Sequence, residues 1–219
     1  MKSLILALLF ASAAPAAAAP ASEPSLDDVR AATERFKDVK VALAEGYLAD
    51  PENICHTAAH MGRDAKLGGM GIHYFRPDLL GITAPPNPRI GGEGVHTDFR
   101  KPAILIYEPN AKGELELIAV ENLVFEKAWR ASGKTQPPTF QGQTFDHMVD
   151  DPATAEDEAH NFEPHYDLHV WLYRPNPAGM FKPFNPNVTC QYSKPAQMAH
   201  AGHAGHAGGQ ESHTAHSGH

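Results

Sequence analysis

The chain has 219 residues, of which 42% are hydrophobic and 20% are charged, which fits a globular domain and excludes a fibrous or mainly disordered chain. Its formal net charge of -8 at pH 7, from 18 basic and 26 acidic residues, leaves no cationic surplus for phosphate contacts, so we expect neither nucleic acid nor an anionic membrane surface as a partner. The 14 histidines direct the search for function to metal chemistry.

The first 20 residues have the pattern of a secretory signal peptide. Lys2 gives a positive start, an apolar run extends from Leu4 to Phe10, and small residues at 16–19 offer cleavage sites. The apolar run is shorter than the roughly 20 residues that a membrane-spanning helix needs. We therefore predict a bacterial protein that is periplasmic or secreted, has no membrane span, and forms a single globular domain over residues 21–194.

An amphipathic helix is predicted directly after this leader. Ser25 and Asp28 have the spacing of a capping box, which closes the first turn of a helix. Apolar residues then recur at steps of three and four, as one buried helix face requires: Val29, Ala32, Phe36, Val39, Leu43 and Tyr47. We expect one helix that ends near Gly46 and packs on the rest of the domain.

Beyond the helix, short extended segments separated by Pro, Gly and Asn predict an antiparallel sheet. Strong strand candidates lie at 70–76, 103–108, 115–125 and 166–173, and weaker ones at 144–148 and 187–192. Asn110, Lys112 and Gly113 predict a tight hairpin between the second and third strong strands. The predicted fold class is α+β, with the N-terminal helix packed on a sheet that is either open or barrel-like.

The two cysteines are predicted to form a disulfide bond. In an oxidising compartment an even count favours a structural bridge, here between Cys55 and Cys190. The alternative is a thiolate metal or redox site, but neither residue belongs to the C-x-x-C pair that is typical of such sites.

The segment 195–219 is predicted to be a disordered, histidine-rich tail, because it has no apolar face to bury. Its six histidines are His200, His203, His206, His213, His216 and His219. Neutral imidazoles at such short spacing suit a borderline metal such as Cu(II), Ni(II) or Zn(II). The tail is therefore either a metal collector or a solubilising segment.

The last strong strand places three metal-ligand residues on one face. His165, Asp167 and His169 alternate with apolar residues. Residues two apart on a strand lie about 6.7 Å apart, so Asp167 and His169 form the favoured pair. His165 lies about 13 Å from His169 and needs a bulge or a bend to join them.

Two further candidate ligands come from other strands. Glu121 stands in a row of apolar residues, and a buried carboxylate is costly unless it is paired or bound to a metal. We expect that row to consist of Leu115, Leu117, Ala119, Leu123 and Phe125. His73 lies in a segment with flanking glycines and little charge. The alternatives are a carboxylate that points outward and a hydrogen-bonded core histidine.

Together, His73, Glu121 and His169 make an N, N, O donor set with an open fourth position, as in catalytic zinc and non-haem iron or copper sites. Glu108 has the parity of an inward-facing residue, so we expect it to orient a ligand. His56 and His60 lie four residues apart beside Met61, and we expect this pair at the surface. We give no firm role to the remaining histidines of the domain: His96, His147 and His160.

Five segments resemble those of a family of small exported bacterial proteins. They read M-G-I-H-Y at 70–74, L-I-Y-E-P at 105–109, V-E-N at 120–122, H-Y-D-L-H-V-W at 165–171 and N-P-N-V-T-C at 185–190. The resemblance spans most of the predicted domain but not the tail, and it implies one domain without assigning chemistry. In that family the first cysteine precedes the M-G-x-H-Y segment, as Cys55 does here, which agrees with the predicted disulfide.

Three functions fit these observations. The favoured one is an exported metal-binding protein whose inward site and tail hold zinc or copper, for sequestration or for delivery to a periplasmic acceptor. The second is a metalloenzyme that uses the same residues, with Asp167 or Glu108 orienting a ligand or acting as a base. The third is a small-molecule-binding module with an aromatic pocket formed by Tyr74, Phe75, Trp171 and Tyr173.

Overall fold

A computed structural model describes residues 22–51, 53–82, 89–153 and 157–194. The predicted signal peptide and the histidine-rich tail lie outside these residues. None of the helices within these ranges is long and apolar enough to cross a membrane.

The described residues form four short α-helices and nine β-strands. The helices are α1 (Leu26–Thr33), α2 (Val39–Ala44), α3 (Pro77–Leu80) and α4 (Glu126–Ala131). The strands are β1 (Leu48–Ala49), β2 (His56–Thr57), β3 (Gly69–Phe75), β4 (Ile104–Pro109), β5 (Leu115–Phe125), β6 (Thr139–Phe140), β7 (Gln143–Thr144), β8 (Asp146–Met148) and β9 (His165–Val170).

Seven of these strands form one antiparallel sheet. Its order is β1-β3-β4-β5-β9-β8, and β2 pairs with β3 off this path. The strands β6 and β7 make a separate hairpin. Among the described strands β1 and β8 do not pair, so the sheet is open rather than closed into a barrel. The α+β class and the antiparallel sheet are confirmed.

The central hairpin of β4 and β5 forms where the sequence predicts it. The Asn110 N–H donates to the Glu114 carbonyl at 2.8 Å, and the Gly113 N–H donates to the Asn110 carbonyl at 2.8 Å. Gly113 has a positive φ of 77°, which glycine adopts without steric cost.

A bulge in β5 changes which of its residues share a face. Ile106 pairs with Ala119, whereas the next residue of β4 pairs with Leu117, so Ile118 is the extra residue. Leu117 therefore belongs to the apolar core on one face of the sheet, and Ala119 to the core on the other. The predicted row is wrong at Leu115 and Leu117, because the bulge reverses the alternation.

Each face of the sheet carries an apolar core. One core joins the sheet to the N-terminal segment and includes Val29, Phe36, Tyr74, Tyr107 and Leu168. The other contains Phe75, Ile104, Ile106, Leu123, Phe125 and Phe162. The candidate metal ligands lie on the same face of the sheet as this second core.

The prediction of a single long N-terminal helix is wrong. The capping box of Ser25 and Asp28 is present, but α1 ends at Thr33 and is followed by a 3-10 turn over Glu34–Lys37. Asp38 then has extended backbone, and its side chain accepts a hydrogen bond from the Lys40 N–H, which starts α2 as a new helix. This break shifts the helical phase, so Leu43 is 49% exposed instead of buried.

The disulfide between Cys55 and Cys190 is confirmed. The weak strand predicted over 187–192 is wrong, because the N–H groups of Thr189 and Cys190 donate to one oxygen of Glu108, at 2.8 and 2.9 Å, rather than to a neighbouring strand. The last strong strand ends at Val170, three residues earlier than predicted, because the Trp171 N–H donates to the Met180 carbonyl.

Candidate metal centre

Three strands bring His73, Glu121 and His169 to one face of the sheet. Glu121 of β5 and His169 of β9 are direct cross-strand partners. His73 lies on β3, and β4 separates that strand from β5. Its ring and the ring of His169 have centroids 5.9 Å apart, so the two side chains meet over the strands that lie between β3 and β9.

The donor atoms of these residues have the spacing of metal ligands. The Nε2 atoms of His73 and His169 each lie 3.4 Å from Oε2 of Glu121, and all three donor atoms lie within 4.8 Å of one another. Two ligands of a tetrahedral zinc ion with bonds of about 2.1 Å are separated by about 3.4 Å. The two distances to Glu121 therefore match those of a tetrahedral site, in which three protein donors would leave the fourth position open.

The cluster is buried and two of its donor atoms lack partners. The side chains of His73, Glu121 and His169 are 10%, 4% and 3% exposed. Oε2 of Glu121 and Nε2 of His169 have no hydrogen-bond partner within the part of the chain that the structure describes. Leaving such buried atoms unsatisfied costs about 1 to 3 kcal/mol each, and more for a charged group. A bound cation would satisfy both.

Burial keeps both imidazoles in the form that binds metal. It lowers the pKa of His73 to about 3 and that of His169 to about 4, the latter against the opposing effect of Glu121. Burial also raises the pKa of Glu121, whereas His169 and a hydrogen bond with Asp167 act in the opposite direction. Two neutral imidazoles and a carboxyl group that releases its proton when a metal binds form the donor set that a divalent cation requires.

Asp167 forms a hydrogen bond with Glu121 but does not belong to the cluster of His73, Glu121 and His169. Its pKa is raised well above the ordinary range, first by burial and then by the Glu121 and Asp146 carboxylates. The predicted pairing of Asp167 with His169 is replaced by Glu121 with His169. Cross-strand neighbours approach to about 5 Å, closer than residues two apart on one strand.

His165 faces the same side of the sheet but is not part of the cluster. It pairs across the strands with Phe125, and its Nδ1 donates to the Glu163 carbonyl at 2.9 Å. No bulge interrupts the pairing of β9 with β5, so nothing shortens the distance along the strand from His165 to His169. Burial lowers its pKa to about 4.

The cluster opens into a cavity of about 450 Å³. His56 and His160 also line this cavity, and both were missed because they lie in segments without a strand or helix period. The spacing of His56 and His60 beside Met61 was the one available signal. Apolar side chains form much of the remaining wall: Met61, Met70, Phe75, Ile90, Ile104, Leu123, Met148, Phe162 and Phe184.

Two other expectations fail at this site. Glu108 faces inward, but its carboxylate accepts from the 189–190 backbone and pairs with Arg174, and it lines a separate cavity. The predicted aromatic pocket does not form, because only Phe75 of its four residues lines the main cavity. Tyr74 packs on the opposite face, as the alternation of β3 requires. Trp171 instead stacks near His169, with ring centroids 6.1 Å apart.

The three residues could hold a metal ion with one coordination position left for a further ligand, and all three line the cavity. Such a position suits either metal exchange or the binding of a small ligand to the ion. Comparisons with protein-family models, curated proteins and solved structures find no match for this chain. The assignment of function therefore depends on the geometry of the site.

Proposed function

We propose that this protein binds one divalent transition-metal ion through His73, Glu121 and His169 and functions in metal sequestration or delivery outside the cytoplasm. The observation that carries the proposal is the pair of buried atoms without partners, Oε2 of Glu121 and Nε2 of His169, at ligand spacing from each other. Most buried polar side-chain atoms in a folded core have a hydrogen-bond partner, so two unsatisfied atoms at this distance point to a ligand between them.

The donor chemistry favours zinc or copper as the metal. Imidazole suits zinc, copper, iron and nickel, and a single carboxylate is compatible with each of them. Three methionines also line the cavity, and thioether sulfur favours copper. The signal-peptide pattern and the disulfide support an oxidising location such as the periplasm, where the histidine-rich tail would collect metal for the centre.

A metalloenzyme is the second candidate, and the cavity of about 450 Å³ beside the open position favours it. A catalytic centre binds a small molecule at the open position and keeps the ion through many turnovers, whereas a delivery protein must give the ion up to an acceptor. Binding of a small anionic ligand to the metal-loaded protein, with the metal content unchanged afterwards, would favour the enzyme, and transfer of the ion to a competing apo-protein would favour delivery.

The proposal predicts one equivalent of metal in the core site. The test uses the full chain exported to the periplasm, with the six tail histidines replaced by Asn so that only the core binds tightly. We expect about one equivalent by elemental mass spectrometry after dialysis without chelator. Glu121→Gln should lose it, because an amide supplies no charge to the ion.

Glu116→Gln is the matched control, since Glu116 lies on the same strand but is exposed and pairs with Arg174. It should retain the metal. Equal metal content in both variants, or none in the parent protein, would contradict the proposed centre.

A further inference from the structure

Four imidazoles form a continuous line from the protein surface to the candidate centre. Successive ring centroids lie 6.4 Å apart from His60 to His56, 5.7 Å from His56 to His73, and 5.9 Å from His73 to His169. Exposure falls along the same line. His60 is exposed, the side chain of His56 is 15% exposed, and that of His169 is 3% exposed.

The outer half of this line has its own metal-binding chemistry. Oδ2 of Asp50 lies 3.4 Å from Nε2 of His56, a carboxylate–imidazole pair that also occurs around bound metals. Met61 follows His60 in the sequence and lines the same cavity as His56, so a thioether forms part of that wall. The disulfide at Cys55 fixes the backbone next to His56.

Long-range attraction can bring cations to the cavity but does not select one metal from another. Four acidic side chains and one basic side chain line the wall: Asp50, Glu121, Asp146, Asp167 and Arg63. Selective capture must then depend on local donors, and imidazoles at steps of about 6 Å allow an ion to exchange one ligand at a time.

We propose that His60 and His56 form an outer, transient metal site that captures a divalent transition-metal ion and passes it to His73 in the centre. This inference rests on the proposed function, because it requires the inner site to bind metal. The outer pair contributes to the rate of loading and not to the final affinity, since neither residue belongs to the inner donor set.

The fluorescence of Trp171 reports loading, because its ring stacks near His169 and bound Cu²⁺ quenches a nearby indole. Trp129 packs in the core on the opposite face and gives a constant background. Apo protein of full length, with the tail histidines replaced by Asn, is mixed in stopped flow with Cu²⁺ buffered by glycine. Trp171→Phe should abolish the fast quenching and so identifies its source.

The double variant His56→Asn, His60→Asn is expected to load about tenfold more slowly, with an equilibrium affinity in competition titrations close to that of the parent. His60→Asn alone, at an exposed position, should slow loading less and leaves folding intact. His147→Asn is the matched control, because His147 is exposed on β8 and does not line the cavity.

Unchanged loading in the double variant would overturn the outer site, as would equal slowing in His147→Asn. A large loss of equilibrium affinity would also overturn it, because the outer residues would then be permanent ligands. If neither the parent nor any variant binds Cu²⁺ in the core, the proposed function itself fails. By contrast, a parent protein that binds Cu²⁺ in the core, with loading unchanged in the double variant, would overturn only the outer site.

Discussion

Buried neutral histidines make the folded chain sensitive to acid. Burial is the largest cause of the lowered pKa values of His73, His160, His165 and His169. In the unfolded chain each imidazole returns to a pKa near 6.5 and binds a proton more readily than in the folded chain. The metal-free protein therefore keeps the full contribution of these groups above about pH 6.5 and loses it as the pH falls toward 4.

His165 allows this effect to be measured outside the metal cluster. Its pKa falls from 6.5 to about 4, which corresponds to about 2 to 3 kcal/mol of unfolding free energy lost between pH 7 and pH 4.5. We predict that the metal-free His165→Asn variant shows a pH dependence that is smaller by this amount. Urea denaturation at the two pH values measures it.

His60→Asn is the control for this experiment, because its side chain is exposed in the folded protein. It should leave the pH dependence unchanged. A parent protein whose stability is the same at both pH values would show that His165 is protonated or solvated in the folded state.

At the scale of single elements, the sequence predicts which residues share a strand face, because these follow the regular alternation. It misses the features that depend on a local irregularity of the backbone. The faces of β9 follow the period of two, and so His169 was placed correctly on the inward side. The bulge at Ile118 and the break at Asp38 depend on contacts that no periodicity reveals. His160 was missed for a related reason, since it lies in a loop and reaches the cavity only through tertiary structure.

Strand β3 positions His73, and Gly71 sets how closely β3 approaches β4. Gly71 has a φ of +107°, and a Cβ there would lie 2.7 Å from Cγ2 of Ile106 and 2.8 Å from the Tyr107 carbonyl oxygen. Alanine at this position must strain the backbone and push the two strands apart. Since His73 follows two residues later, the displacement also moves a metal ligand.

We predict that Gly71→Ala lowers the free energy of unfolding by about 2 kcal/mol more than Gly113→Ala, and weakens metal binding as well. Gly113 is the control because it also has a positive φ but no atom within 4 Å of the added Cβ. Chemical denaturation and metal titration measure the two effects. Equal destabilisation by both substitutions would contradict the proposed close approach of β3 and β4.

At the scale of the whole molecule, the inner centre and the outer histidines are held by different means. The three inner ligands lie on β3, β5 and β9, which the hydrogen bonds of one sheet keep in register. His56 lies on the two-residue strand β2, next to Cys55. The disulfide joins that segment to the chain that follows β9, so it fixes the outer site more than the inner one.

Removal of the disulfide tests this division. The bridge spans 135 residues, and a loop of this length stabilises a folded chain by about 5 kcal/mol in the chain-entropy model. We predict that the double variant Cys55→Ala, Cys190→Ala loses about this much in urea denaturation, yet retains one equivalent of metal at low temperature and loads it more slowly. Loss of the metal from a variant that is still folded by circular dichroism would contradict this division, because it would mean that the sheet alone does not hold the centre.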